Sequence, residues 1–309
     1  MARKVLAIVG PTAVGKTDLS IKIAKKFKGE IISGDSMQVY SKLDIGTAKI
    51  RPDEMDGIKH YMINVRNIDE RFAVADFTAG CRKYISQIDA EHKLPLIVGG
   101  TGFYLQALLD NFHLGQDRYD QTEKIRRKWR GYLAANGPQK LWDQLNQIDS
   151  AAAERIPVGN SRRVIRALEV YENTGKLFSQ QHDQSDNEFD PLIIGLNTDR
   201  QLLYQRINKR VDIMMEEGLL KEASWLYDQG GQELPAGKGI GYKEFYPYFE
   251  GRISLADAVA EVKKNSRHYA KRQLTWFRNK MNVHWFDLVQ QPQQYDEIIT
   301  LVSQWLGKE

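Results

Sequence analysis

Residues Gly10-Pro11-Thr12-Ala13-Val14-Gly15-Lys16-Thr17 match the pattern G-x-x-x-x-G-K-[ST] in full. The pattern carries weight only where a strand precedes it and a helix follows. This chain supplies both. "KVLAIVG" (Lys4 to Gly10) is a short unbroken apolar run, as expected of a strand covered on both faces. A helix-period segment then runs from Lys16 to Phe27. In that setting backbone amides converge on phosphate oxygens, and the helix N-terminus adds the positive end of its dipole. Gly10, Thr12, Ala13, Val14, Gly15, Lys16 and Thr17 are therefore expected to bind phosphate. Lys16 would neutralise charge, and the Thr17 hydroxyl would ligate Mg²⁺.

The next hundred residues continue the alternation that the loop demands. "EIISGDS" (Glu30 to Ser36) and "LPLIVGGT" (Leu94 to Thr101) read as strands, with a helix from Val74 to Ala90 between them. From Gln116 the apolar strand runs vanish, and helix-period segments take over at Glu123 to Ala135, Pro138 to Gln147 and Ser161 to Thr174. Polar Ser179 to Asp190 reads as a connector. Strand character returns at Pro191 to Asn197. Asp199 then caps one long helix reaching towards Tyr227, another spans Ser254 to Arg278, and a strand (His284 to Asp287) precedes a last amphipathic helix. The expected fold is α/β: a P-loop NTPase-like parallel sheet with helices on both faces, formed by residues 1–115 and 190–309. Residues 116–189 form a helical insertion domain expected to contact nucleic acid.

Composition removes several classes of protein. The 309 residues include one cysteine, Cys81, so neither a disulfide framework nor a cysteine-rich zinc site is available. Cys81 falls on the Phe77 to Ile88 amphipathic stretch and reads as buried filler. No run of about 18 apolar residues suggests a membrane span. The chain enters a strand almost at once, leaving no room for a targeting peptide, so a cytoplasmic protein is expected. His60, His113, His182 and His268 lack metal spacing and read as structural or surface residues.

A phosphate cradle does not name its ligand. ATP or GTP is the usual occupant, and phosphoryl transfer needs a carboxylate near the metal. "LPLIVGGT" ends in Gly99-Gly100-Thr101, where such an acid would be sought, and has none. Asp35 is the carboxylate at an early strand end, and a kinase could still use it. The NTPase reading is weakened and stays open at this point.

Asp35-Ser36-Met37-Gln38-Val39-Tyr40, at this distance from the loop, resembles the tRNA dimethylallyltransferase (isopentenyltransferase) family. "DIGTAK" (Asp44 to Lys49), "VGGTGFY" (Val98 to Tyr104), "NSRRVIRALEVYENTGK" (Asn160 to Lys176), "GIGYKEF" (Gly239 to Phe245) and "YAKRQLTWFRN" (Tyr269 to Asn279) extend the likeness along nearly the whole chain. The resemblance implies a reaction without ATP. The loop would hold the diphosphate of dimethylallyl diphosphate, with Mg²⁺ assisting its departure. The acceptor would be the exocyclic amine of the adenine 3′ of the anticodon in tRNA. Arg210 lies where the family places a diphosphate-binding arginine. The cysteines for the zinc finger of the longer eukaryotic form are missing, so a bacterial-type enzyme is expected. A monomer is expected as well.

The chemistry assigns further roles. An adenine amine is a poor nucleophile, so a carboxylate in reach must orient it and take its proton; Asp35 is the candidate base. Thr101, also at a strand end, is a candidate catalytic and RNA-contacting hydroxyl. The target adenine must leave the anticodon-loop stack. Asp35, Ser36, Met37 and Gln38 are placed to read it, since Gln offers both a donor and an acceptor. Net charge is only +4, so phosphate contacts depend on local clusters. These are Lys124, Arg126, Arg127, Lys128 and Arg130; Arg162, Arg163 and Arg166; and Lys263, Lys264, Arg267, Lys271 and Arg272. Arg126, Asn160, Ser161, Arg162, Arg163 and Arg166 are the expected tRNA contacts of the insertion. Trp276 and Phe277, beside the last cluster, are read as core residues in reach of base stacking. Two other readings, a small-molecule kinase on the same core and a non-catalytic RNA binder, fit the basic helical insertion and the intact Lys16, Thr17 and Asp35 less well.

Overall fold

Five apolar residues in a row, Val5 to Val9, can be buried only by cover on both sides, and the first strand shows how that cover is arranged. In the computed structural model, which describes residues 2–112, 119–180 and 188–307, β1 (Arg3–Val9) alternates between two cores. Leu6 and Ile8 pack into one cluster with residues of α1 (Lys16–Phe27). Val5, Ala7 and Val9 pack into a second, on the opposite face. Each fully buried aliphatic side chain contributes about 1.5–3 kcal/mol.

The chain continues through β2 (Gly29–Ser33), β3 (His60–Tyr61), α2 (Val74–Ala90), β4 (Leu94–Gly99) and α3 (Gly102–Leu109). After the helices α4 (Tyr119–Ile148), α5 (Ser150–Arg155) and α6 (Ser161–Thr174) come β5 (Phe189–Leu196), α7 (Arg200–Glu216) and α8 (Leu219–Asp228). The last elements are α9 (Tyr246–Phe249), α10 (Leu255–Lys280), β6 (His284–Phe286) and α11 (Gln294–Leu306). Among the described residues six strands form one parallel sheet in the order β3-β2-β4-β1-β5-β6. β1 therefore lies between β4 and β5, and its carboxyl end meets theirs. That is where an open sheet of this kind binds ligands.

The chain divides into two compact units, Met1–Leu109 with Asn187–Glu309, and Asp110–Asp186. The first holds the sheet and a third core in which Val39, Leu43, Leu219, Tyr242 and Phe245 bury the loops that follow β2. The second is helical, with its own core of Trp129, Leu141, Leu145, Val164 and Leu168.

Several boundaries differ from the sequence reading. The strands expected to reach Ser36 and Thr101 stop at Ser33 and Gly99, which leaves Asp35 and Thr101 on loops. The single long helix expected after Asp199 is two helices. Gly218, at φ 105, ends the first and starts the second, a conformation open to glycine alone without strain. α4 joins two expected segments across Gly137 and Pro138. β3, two residues long, is too short to leave a periodic signal. Asp199 caps α7, and Ser254 with Asp257 forms a capping box on α10. His113, His182 and residues 181–187 of the connector lie outside the described residues. Cys81 is fully buried, and burial pushes its thiol well up. Among the described residues no helix is long and apolar enough to cross a membrane.

Candidate active site

A cavity of about 610 Å³ opens at the carboxyl end of the sheet within the first unit. Thr12, Ala13, Gly15, Lys16 and Thr17 of the phosphate loop line it, as do Asp35 to Gln38 and Arg210. Gly10 and Val14 shape the loop from behind and are buried. Lys16 Nζ donates to the Pro11 carbonyl at 2.5 Å, so the ammonium is folded back over the loop. Desolvation in the cavity, then the Arg210 charge, lower its pKa to about 7, against the pull of Asp35. Arg206 Nε donates to the Ala13 carbonyl at 2.7 Å. Arg210, one helical turn later on α7, faces the same way. Burial depresses its pKa and the Asp35 charge opposes that.

Asp35 reaches this cavity because two loops can touch. A Cβ added to Gly99 would lie 2.3 Å from the Gly34 carbonyl, so the ends of β2 and β4 approach more closely than any side chain permits. Across that contact the Ser36 amide donates to Thr101 Oγ1 at 3.1 Å, and the Thr101 amide donates to the Gly34 carbonyl at 3.3 Å. The Met37 amide donates to Asp35 Oδ1 at 2.8 Å, so Asp35 also pins its own turn. Desolvation raises the Asp35 pKa, and the Met37 amide, Lys16, the Gln38 amide and Arg210 draw it back down. The result is a carboxylate more basic than usual, held in the field of two cations.

Gln38 is more constrained than its chemistry alone suggested. Its Oε1 accepts from Ser33 Oγ at 2.8 Å, and its Nε2 donates to the Thr47 and Ala48 carbonyls at 3.2 Å each. The donor half of the amide is therefore occupied by the protein. Met37 lines the cavity and packs against the third core.

Sequence reasoning did not single out Tyr269 and Gln273, nor place Arg272 in this cavity. All three line it from α10 at helical spacing, and Gln273 Nε2 donates to the Gly100 carbonyl at 3.0 Å. Burial, followed by the Asp35 charge, raises the Tyr269 phenol to about 12, so it stays neutral. The available signal was a glutamine on the apolar face of an amphipathic helix. Phe277, on that face, is fully buried, while Trp276 meets Phe103 edge-on at 6.0 Å.

A family model described as IPP transferase matches residues 38–280. The chain belongs to the IPP transferase family. It is 63% identical over 307 residues to the tRNA dimethylallyltransferase of Ligilactobacillus salivarius, covering 99% of this chain and 100% of that one. With the enzyme of the same name from Limosilactobacillus reuteri the identity is 57%, covering 99% of each. The crystal structure of a tRNA isopentenylpyrophosphate transferase from Bacillus halodurans superposes with TM-score 0.75 at 45% identity, covering 99% of this chain and 97% of that one. A eukaryotic dimethylallyltransferase, crystallised acting on tRNA, superposes with TM-score 0.83 at 32% identity, covering 100% of this chain and 81% of that one.

In this IPP transferase the helical unit treats its basic residues unequally. Glu169 is 1% exposed, and a buried carboxylate is costly without a cation. Arg126 Nε meets it at 2.7 Å and Arg166 at 3.3 Å. Lys128 pairs with Glu172 at 2.9 Å, and Arg130 with Glu123 at 3.4 Å. Arg162 and Arg163 are exposed on the first turn of α6, which starts at Ser161. Asn160 caps it through a bond from the Arg163 amide at 3.4 Å, and the Arg163 guanidinium lies 5.7 Å from the Phe178 ring. On α10 the basic cluster expected to contact phosphate is partly spent on α7. Lys263 pairs with Asp212 at 2.5 Å, and Arg267 donates to Asn208 at 2.7 Å.

Among the described residues no group of three or more acidic, His or Cys side chains gathers to cage a metal. Thr17, an exposed residue, lines the cavity together with Asp18 and Asp35. That donor set suits a hard cation that keeps waters and binds chiefly through a substrate's phosphate oxygens.

Proposed function

We propose that this protein transfers the dimethylallyl group of dimethylallyl diphosphate to the exocyclic amine of the adenine 3′ of the anticodon in tRNA, releasing diphosphate. One observation carries the mechanism: a carboxylate and two cations, Asp35, Lys16 and Arg210, share one cavity and feel each other's charge. The amides of the loop from Gly10 to Thr17, with Lys16 and Arg210, surround the site for the diphosphate. As the allylic carbon–oxygen bond breaks, its electron pair passes to the diphosphate oxygen, and these fixed donors stabilise the growing charge. The amine nitrogen forms the new bond to that carbon and loses one proton, which Asp35 accepts. Thr101, fixed against Ser36, lies beside Asp35 to orient the amine. Mg²⁺, held through the Thr17 hydroxyl, would supply further charge neutralisation to the leaving group.

Extruding the adenine from the loop stack costs a few kcal/mol, less than from a duplex. Ser36, Met37 and Gln38 border the space it would enter. In the helical unit, exposed Asn160, Arg162 and Arg163 and half-buried Ser161 offer contacts for the anticodon stem-loop, together with the less exposed Arg126 and Arg166. Residues 116–189 are the proposed tRNA-contacting domain. The protein is proposed to act as a monomer. The cytoplasm, where unmodified tRNA is met, is the proposed site of action.

The test uses labelled dimethylallyl diphosphate, Mg²⁺ and unmodified bulk tRNA, with ATP incubated separately. Label entering tRNA, and stopping when Mg²⁺ is chelated, is the expected result. Phosphate release from ATP without transfer to RNA would point instead to a kinase-type use of the loop.

A further inference from the structure

The carboxylate of Glu222, on α8, is far from the cavity's charged groups in sequence and takes no part in the mechanism above. It nonetheless accepts four hydrogen bonds. Oε2 takes the amides of Asp44 and Ile45 at 2.8 and 3.0 Å, and Oε1 takes the Gly46 amide at 2.9 Å and the Tyr242 hydroxyl at 2.7 Å. Three consecutive amides converging on one anion form a nest. Tyr242 is buried, and burial together with the Glu222 charge holds its phenol far above the ordinary value, so it remains a donor. The far end of the same segment is fastened by Lys49. Its buried ammonium reaches the Tyr40 carbonyl at 2.8 Å, Asp44 Oδ1 at 2.6 Å and Asn64 Oδ1 at 2.7 Å.

Between these two anchors lie the Thr47 and Ala48 carbonyls that hold Gln38 Nε2. A side-chain amide has two N–H donors and two acceptor lone pairs. Both donors end on those carbonyls, and one lone pair takes the Ser33 hydroxyl. One acceptor position is left. Turning the amide over would set its oxygen against two carbonyl oxygens, so the carbonyls decide its orientation.

We propose that Glu222 is a positioning residue for base recognition: by gripping residues 44–46 it holds the Thr47 and Ala48 carbonyls in place, so that Gln38 presents only an acceptor to the base. An acceptor complements the amino group of adenine and opposes the O6 of guanine. The adenine preference is thus set by a carboxylate that never touches the RNA. This inference rests on the transfer activity proposed above.

The test compares wild type with Glu222→Gln, whose added N–H donors would face the backbone amides. Two sets of anticodon stem-loops are used. In one, guanine replaces adenine at the 5′ neighbour of the target, and kcat/KM for transfer is measured. In the other, guanine replaces the target itself, and the loop is assayed as a competitive inhibitor. Binding of inorganic diphosphate, measured by calorimetry, reports whether the phosphate loop is intact.

The expected result is diphosphate binding within about twofold of wild type and an adenine-over-guanine ratio lowered about tenfold in one of the two sets. Wild-type ratios in both sets, in a variant that still binds diphosphate, would overturn the proposal. A wild-type protein that transfers no label to RNA would instead refute the activity. Should Glu222→Gln fail to fold, Tyr242→Phe removes one of the four donors. It is expected to shift the ratio in the same direction by a smaller factor, and an unchanged ratio there overturns the proposal equally.

Discussion

Replacing Asp35 with Asn separates the roles that the site assigns to this residue. The amide oxygen of Asn can still accept the Met37 N–H that Oδ1 now takes at 2.8 Å, so the turn that carries Ser36 to Gln38 is preserved. What is lost is the negative charge and the base. A positioned general base contributes about 10²–10⁴ in rate, equivalent to roughly 2.7–5.5 kcal/mol at about 1.36 kcal/mol per decade. The charge has a second effect. Asp35 raises the pKa of Lys16, which stands at about 7 with the carboxylate present. Without it Lys16 loses its proton at a lower pH. At pH 6, on the acid side of the wild-type value, Lys16 keeps more of its charge than at pH 8, and one anion has left the cavity. Diphosphate should then bind as well as to wild type, or more tightly. At pH 8 the neutral lysine should bind it less well. The assay is single-turnover transfer of labelled dimethylallyl diphosphate to tRNA, paired with calorimetric binding of inorganic diphosphate at pH 6 and pH 8. Turnover within threefold of wild type would remove Asp35 as the base. Loss of diphosphate binding at pH 6 would show that the variant had damaged the cradle instead.

Further outcomes follow from the same electrostatics. In wild type, kcat/KM for dimethylallyl diphosphate should fall on the alkaline side of about pH 7 as free Lys16 deprotonates. It should also fall on the acid side, at a pH above the ordinary carboxylate value, as Asp35 protonates; a profile with no alkaline limb up to pH 9 would contradict the Lys16 assignment, and an acid limb no higher than an ordinary carboxylate's would contradict that of Asp35. Arg210→Gln should weaken diphosphate binding about tenfold to a hundredfold, as expected for a charged hydrogen bond. It should also move the alkaline limb upward, because the Arg210 charge lowers the Lys16 pKa. An unmoved limb would mean that the two cations do not interact. Arg126→Ala leaves Glu169 with Arg166 alone and should lower the stability of the helical unit by about 3 kcal/mol, the scale for breaking a buried ion pair. Chemical denaturation checks this, and unchanged stability with weakened tRNA binding would make Arg126 an RNA contact first.

Much of the fold is legible along the chain because its causes are local. β1 reads as a strand since five consecutive apolar residues, Val5 to Val9, need cover on both faces, and the glycines and lysine from Gly10 to Lys16 state the loop's chemistry without reference to anything distant. Helix starts at Asp199 and Ser254 are visible for the same reason: a cap acts within one turn. The break at Gly218 was missed because the residues on either side keep a helical period, and only the backbone angle shows that the axis restarts.

Residue type and spacing alone placed a phosphate cradle, a candidate base and a helical insertion, since each follows from interactions spanning a few residues. Only the folded chain decided what each polar group has left to offer. Gly34 had to meet Gly99 before Asp35 stood beside Thr101. Glu169 had to be buried before Arg126 was drawn to it, and the segment from Asp44 to Ala48 had to fold back before Gln38 gave up its donors. Hydrogen bonds and ion pairs saturate within about 3–4 Å, so the free valence of a side chain depends on neighbours that chain order does not reveal.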